Sequence, residues 1–216
     1  MNSDRPQRLL IIDDHPLFRK GVRQLVANEP EFDVVGEASN GREGIDLALR
    51  IDPDMILLDL NMKDMNGVEV LKAIKTAGCE ARVVMLTVSD EAADLIAAIQ
   101  AGAEGYLLKE MEPETLLAKL KEAADGQVTI SERLTGILVH SLRDDARPKD
   151  PDQAGLTEQE WRIAELIADG KCNKLIARDL GIADGTVKVH VKHLLRKLNL
   201  RSRVTVAVWM VARRRA

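Results

Sequence analysis

The chain has 216 residues, 45% apolar and 31% charged, the balance of an ordinary globular protein with room for one large domain or two smaller ones. No apolar run approaches the roughly 18 residues of a transmembrane helix, the polar Met1–Arg8 stretch argues against a signal peptide, and Cys79 and Cys172 form no metal or redox motif, so a cytoplasmic location with unpaired thiols and no membrane partner is expected. The net charge of −4 hides a division: residues 156–216 carry 13 Lys/Arg against 6 Asp/Glu, a balance of +7, and the first 155 residues sum to −11, which suits the tail to a polyanion.

Along the first 125 residues, short apolar runs at Leu9–Ile12, Phe32–Val35, Met55–Leu58, Val83–Leu86 and Tyr106–Leu108 read as buried strands. Between them, helical periodicity covers about 16–28, 41–51, 66–77, 90–101 and 113–125, with Pro113 in a first turn. Five strands alternating with five helices predict an α/β fold, a doubly wound (βα)5 parallel sheet over residues 1–127. A further helix is expected from near Ser131 to about Leu142. Arg143–Gly155 has almost nothing apolar to bury, so residues 128–155 read as this helix plus an interdomain linker.

From Leu156 onward the pattern is helical only. Thr157 and Glu160 form a capping box for a helix to about Ala168, which Gly170 ends. A second helix spans about Asn173 to Leu180 and stops at Gly181. Asp184 is expected to cap a third over about 185–198, and Ser202 a fourth reaching about Arg213. Residues 156–216 are therefore predicted to be a small all-α domain of four helices.

In an open parallel sheet, ligands bind beyond the carboxyl ends of the strands. There the sequence places Asp13 and Asp14 after the first strand, Asp59 after the third, Thr87 after the fourth and Lys109 after the fifth. Three carboxylates in one crevice repel one another unless a cation joins them, and hard oxygen ligands favour Mg²⁺. One of them can act as a nucleophile toward a phosphoryl group, with Thr87 donating to a phosphate oxygen and Lys109 neutralising charge. His15 follows the acidic pair and precedes Pro16 at a helix start, so it reads as a surface loop residue rather than a ligand.

The stretches Ile11-Ile12-Asp13-Asp14-His15, Leu57-Leu58-Asp59-Leu60-Asn61-Met62, Leu86-Thr87 and Leu107-Leu108-Lys109 resemble the receiver domain of two-component response regulators. The resemblance implies that Asp59 accepts a phosphoryl group from a sensor histidine kinase. It implies that Asp14, Asp59 and the backbone carbonyl of Asn61 hold Mg²⁺ with Asp13 assisting, and that Thr87 and Tyr106 form a switch pair. The chain departs from the family at Lys63, where proline is usual.

In the third C-terminal helix, Val187, Val191, Leu194, Leu195 and Leu198 form an apolar stripe, and Lys188, Lys192 and Arg196 share a neighbouring face. Val189 sits off the stripe beside Lys188, a place that contact with a thymine methyl would explain. With the preceding helix and the turn Gly181–Ala183 this makes a helix-turn-helix. His190 and His193 lack a neighbouring ligand to complete a metal site. The fourth helix, with Val204, Val206, Val208, Trp209 and Val211, is apolar on nearly all sides, and a symmetric dimer would cover what its own domain does not.

Leu156-Thr-Glu-Gln-Glu160, Asn173-Lys-Leu-Ile-Ala177 and Thr186-Val-Lys-Val-His190 resemble the LuxR-type helix-turn-helix, and the whole chain resembles the NarL/FixJ class, its nitrate/nitrite regulators above all. That resemblance implies base contacts from Lys188, Val189 and Lys192 and phosphate contacts from Lys174, Arg178, Arg201 and Arg203. It implies a resting state in which the receiver covers the recognition helix, while the apolar fourth helix itself points to Val204, Val208 and Trp209 as the dimer face on DNA. The implied partners are promoter DNA, a sensor histidine kinase, a second copy of the chain and RNA polymerase. No enzyme activity is implied beyond phosphoryl uptake from small donors and its loss. An Asp-nucleophile phosphatase is the competing reading, but such enzymes want a second Asp two residues after the nucleophile, where this chain has Asn61. A DNA-binding regulator switched without phosphate is the other.

Overall fold

The computed structural model describes residues 5–88, 91–127, 129–130 and 155–214. The helix expected from Ser131 and most of the linker lie outside these residues. The six strands are β1 (Gln7–Ile12), β2 (Phe32–Ala38), β3 (Met55–Asp59), β4 (Arg82–Thr87), β5 (Gly105–Leu108) and β6 (Thr129–Ile130), in the order β2-β1-β3-β4-β5-β6 and all parallel. The helices between them are α1 (Pro16–Val26), α2 (Gly41–Ile51), α3 (Gly67–Thr76), α4 (Ala92–Ala101) and α5 (Pro113–Ala124). β3 is buried at every residue because helices cover both faces of the sheet, which is why the strands read as unbroken apolar runs. Leu10, Ile12, Ile56 and Leu58 face the cluster beneath α2, α3 and α4, while Leu9, Ile11, Met55 and Leu57 alternate onto the α1 and α5 side. β6 was not expected; two residues carry too little pattern to register as a strand.

Among the described residues from 155 onward there are four helices: α6 (Glu158–Ala168), α7 (Asn173–Leu180), α8 (Asp184–Leu198) and α9 (Arg203–Arg214). The capping box forms as expected: the Glu160 amide donates to the Thr157 hydroxyl, and the Glu160 carboxylate accepts from the Thr157 amide at 2.7 Å. Gly181 ends α7 in the left-handed region at φ 67°, where only glycine is free of a Cβ penalty. Asp184 does not cap α8; it lies in the first turn behind Ala183, and its carboxylate pairs with Lys188 instead. Ser202 Oγ accepts the Thr205 amide at 3.3 Å, the cap expected for α9. Ile163, Ile167, Ile176, Val187, Leu194, Leu198, Val206 and Met210 build this domain's core.

The two domains touch. Val204 and Val208 of α9 are buried within the apolar cluster of the sheet domain, and α9 packs against α4. Among the described residues no helix is long and apolar enough to cross a membrane.

Candidate functional site

β1 and β3 are neighbours, but the chain leaves them in opposite directions, to β2 and to β4. The crevice at their carboxyl ends is therefore the switch point of the sheet. Asp13 is fully buried there and Asp59 is 1% exposed. Lys109, one residue beyond β5, places its ammonium 2.8 Å from Asp13 Oδ2 and 2.8 Å from Asp59 Oδ2, with the Phe18 ring 5.0 Å from the same nitrogen. Burial pushes the Asp59 carboxyl above the usual carboxylate range; the hydrogen bond from Lys109 pulls it back and the Asp13 charge adds to the rise.

The loop after β3 is tied to this crevice. The Asn61 amide donates to Asp59 Oδ1 at 3.2 Å, and the Lys63 amide donates to Asp14 Oδ2 at 3.3 Å. Proline at 63 would have no N–H for that bond, so the departure from the family pattern adds a tether to Asp14. Asp64 accepts from the Gly41 amide at 3.0 Å and caps the start of α2. Gly67 lets α3 begin hard against the strand: a Cβ there would stand 2.2 Å from the Asp59 carbonyl oxygen and 2.8 Å from Leu60 Cα.

Thr87 is buried at the end of β4, its carbonyl accepting the Lys109 amide at 2.7 Å. Tyr106 pairs across the strands with Met85 and is 1% exposed, so its ring already lies inside. His15 lies in the exposed loop before α1, as expected. Its side chain is 63% exposed, yet Nδ1 lies 2.9 Å from Asp14 Oδ1 and 3.4 Å from Asp13 Oδ1.

Asp13 Oδ2 and Asp59 Oδ2 are buried with the Lys109 ammonium as their shared neighbour, and among the described residues no donor is well aimed at the buried Asp14 Oδ1. Three carboxylates against one ammonium leave two uncompensated negative charges when His15 is neutral, and a divalent cation would balance them. The donor set of hard carboxylate oxygens, with the exposed Asn61 at the rim, fits Mg²⁺.

The second candidate site is α8. Lys188, Val189 and Lys192 are exposed, Val189 to 52%, while Val187, Leu194 and Leu198 face inward. Lys174, Arg178 and Arg201 are also exposed. Arg203 is not: it is 7% exposed and donates to Asn173 Oδ1 at 2.5 Å and to the Lys171 carbonyl. Burial, with Arg82 nearby, lowers its guanidinium to about 10. In this arrangement it offers nothing to a phosphate, because side-chain reach toward its own α6–α7 turn and coverage by the sheet domain are invisible to helical spacing. Val204 and Val208 are covered in the same way, and Trp209 stacks edge-on to Trp161 at 6.2 Å. Sequence reasoning missed Glu80, whose Oε1 lies 2.6 Å from Lys192 Nζ across the domain seam.

The response regulator receiver domain family matches residues 9–121, and the luxR family of bacterial regulatory proteins matches residues 154–210. The chain is 50% identical over 210 residues to the nitrate/nitrite response regulator protein NarL of Escherichia coli K12, covering 97% of each chain. It is 46% identical over 216 residues to NarP of the same organism, covering 100% of each. The crystal structure of a LuxR-family two-component response regulator from Aurantimonas sp. SI85-9A1 is similar at 27% identity and a TM-score of 0.58, covering 64% of this chain and 99% of that one.

Proposed function

We propose a function on one premise: the chain belongs to the two-component response regulators that carry a LuxR-family DNA-binding domain. Asp59 is the phosphoacceptor, a sensor histidine kinase is the donor, and phosphorylation frees the helix-turn-helix to bind promoter DNA. The observation that carries this reading is the docked output domain: Lys192 of the recognition helix is held by Glu80, and Val204 and Val208 lie under the sheet domain. An output domain tied to its own receiver needs a signal to release it, and the Asp59 crevice is built to take one.

In the phosphoryl transfer, an Asp59 carboxylate oxygen attacks phosphorus, and the bond from phosphorus to the donor's leaving atom breaks with its electron pair. Lys109, already 2.8 Å from Asp59, stabilises the ionised carboxylate that burial disfavours and then the added phosphoryl charge. Asp14, Asp59 and the Asn61 carbonyl, assisted by Asp13, would hold Mg²⁺, which neutralises phosphoryl oxygens when bound. Thr87 supplies a hydroxyl to the new phosphate and Tyr106, opposite Met85 on the neighbouring strand β5, transmits the shift. Residues 1–127 act as the receiver, 128–155 as helix and linker, and 156–216 as the output domain.

After release, Lys188, Val189 and Lys192 read bases, and Lys174, Arg178 and Arg201 hold phosphates. Arg203 joins them only once the seam opens. Val204, Val208 and Trp209 then serve a second copy, so docking and dimerisation through this face exclude one another. The relatives' names support nitrate or nitrite as the signal. The test is intact-mass analysis and operator binding after incubation with acetyl phosphate and Mg²⁺. The wild type should gain one phosphoryl group and bind operator more tightly; Asp59→Asn should do neither. Equal operator affinity for Asp59→Asn and the phosphorylated wild type in the same salt would end this reading.

A further inference from the structure

We propose that His15 is an additional protein ligand of the divalent-cation site, so that the receiver takes borderline first-row cations such as Co²⁺ and Zn²⁺ more tightly than carboxylates alone would. The inference rests on the reading that Asp14 and Asp59 hold a divalent cation.

The backbone fixes where the imidazole can go. The His15 amide donates to Asp13 Oδ1 at 2.8 Å, and Pro16 opens α1, which keeps His15 extended at φ −92° and ψ 105°. Nδ1 then stands 2.9 Å from Asp14 Oδ1, 3.4 Å from Asp13 Oδ1 and 3.8 Å from Asp59 Oδ2. Metal–ligand bonds of about 2.1 Å put neighbouring ligand atoms of an octahedron about 3 Å apart, close to these separations. One ligand atom from each of Asp13, Asp14, His15 and Asp59 lies within 4.8 Å of the others.

A simple ion pair explains the arrangement less well. Asp14 Oδ1 is buried and accepts no hydrogen bond, although Nδ1 is only 2.9 Å away. Two polar atoms that approach this closely without aiming at each other are placed as ligands of a common third atom are placed. Lys109 takes Oδ2 of Asp13 and of Asp59, while His15 approaches the Oδ1 atoms of Asp13 and Asp14. An imidazole nitrogen suits Co²⁺, Ni²⁺ and Zn²⁺, whereas an all-oxygen set suits Mg²⁺. His15 is 63% exposed on its side chain, so removing it leaves the core intact.

The test compares full-length wild type, His15→Ala and Asp14→Ala at a pH near 8, where free imidazole is neutral. Co²⁺ is titrated and followed by its visible absorption, and Mg²⁺ is titrated by calorimetry. His190 and His193 are present in all three chains, so any binding there cancels. Wild type should bind Co²⁺ at least about tenfold more tightly than His15→Ala, with Mg²⁺ affinities agreeing within about twofold. X-ray absorption of the Co²⁺ complex should show a nitrogen ligand that His15→Ala lacks. Equal Co²⁺ affinity in wild type and His15→Ala, with Mg²⁺ bound by both and lost in Asp14→Ala, overturns the proposal alone. Wild type binding no better than Asp14→Ala for either ion overturns the cation-site reading as well.

Discussion

Glu80 and Lys192 are 112 positions apart, and both side chains are more than two-thirds exposed, yet they meet at 2.6 Å. Lys192 holds the Glu80 carboxyl below the usual carboxylate range by hydrogen bond and charge. Exposure limits what the contact is worth: pairs of this kind contribute at most about 1 kcal/mol. Glu80→Gln should therefore raise operator affinity of the unphosphorylated protein by about two- to fivefold. It should leave the phosphorylated protein unchanged, because on the proposed mechanism Lys192 is already free there. Fluorescence anisotropy with labelled operator at one low salt concentration measures both. A gain in both states alike would mean that Glu80 acts by repelling DNA rather than by holding Lys192.

Two connections between elements bear directly on function, one in each domain. In the receiver, α3 starts against the end of β3 because Gly67 has no side chain. Gly67→Ala should lower stability by about 1–3 kcal/mol and slow phosphoryl uptake, since the Asp59 backbone must shift to make room; thermal denaturation and acetyl phosphate kinetics report the two effects. In the output domain, Glu160 joins α6 to α8 through Lys197 Nζ at 2.7 Å while closing its own capping box. Burial pushes this carboxyl up, but the bonds from Lys197 and Thr157 outweigh it and the net shift is below 4.5. Its contribution is thus present above about pH 4.5 and is lost as pH falls through the lower folded value. Glu160→Gln should cost about 1–2 kcal/mol near neutral pH and flatten the acid limb. Both tryptophans, Trp161 and Trp209, lie in this domain, so their fluorescence follows it alone. The capping box was legible from Thr157 and Glu160 because its spacing is local, and so were the five long strands and the acidic crevice, which buried apolar runs and strand-end positions mark. The burial of Arg203 and the grip on Lys192 were not, since both depend on which surfaces the two domains bring together, and neither was the Glu160–Lys197 bond, which depends on how α6 packs against α8. The exposed loop position of His15 was legible as well, while the closeness of its Nδ1 to Asp14 was not, since it depends on the side-chain rotamer.

At the scale of the whole molecule, the acidic crevice and the docked helical domain sit at opposite ends of the same strands. Asp59, Thr87 and Lys109 lie at the carboxyl ends. Glu80 precedes β4, Glu104 precedes β5, and the Arg201 carbonyl approaches Gly102 after α4. β4, with Arg82 at one end and Thr87 at the other, spans the gap of about 20 Å and pairs with β5 along its length. Any coupling across it must be reciprocal, because the two bindings are linked equilibria of one molecule. If phosphorylation tightens operator binding by about 5- to 150-fold, the usual range for coupled sites, operator DNA must tighten binding of a phosphoryl mimic at Asp59 by the same factor. Trifluoroberyllate with Mg²⁺ provides the mimic as a reversible ligand, so both affinities can be measured at equilibrium. Its dissociation constant should fall in the presence of saturating operator by the factor that saturating trifluoroberyllate produces in operator affinity. Glu80→Gln should shrink both factors together, because a receiver that already holds its output domain loosely has less to release. No tightening in either direction, or factors that Glu80→Gln leaves untouched, would separate the Asp59 crevice from the domain seam and leave the docked arrangement without a role in the switch.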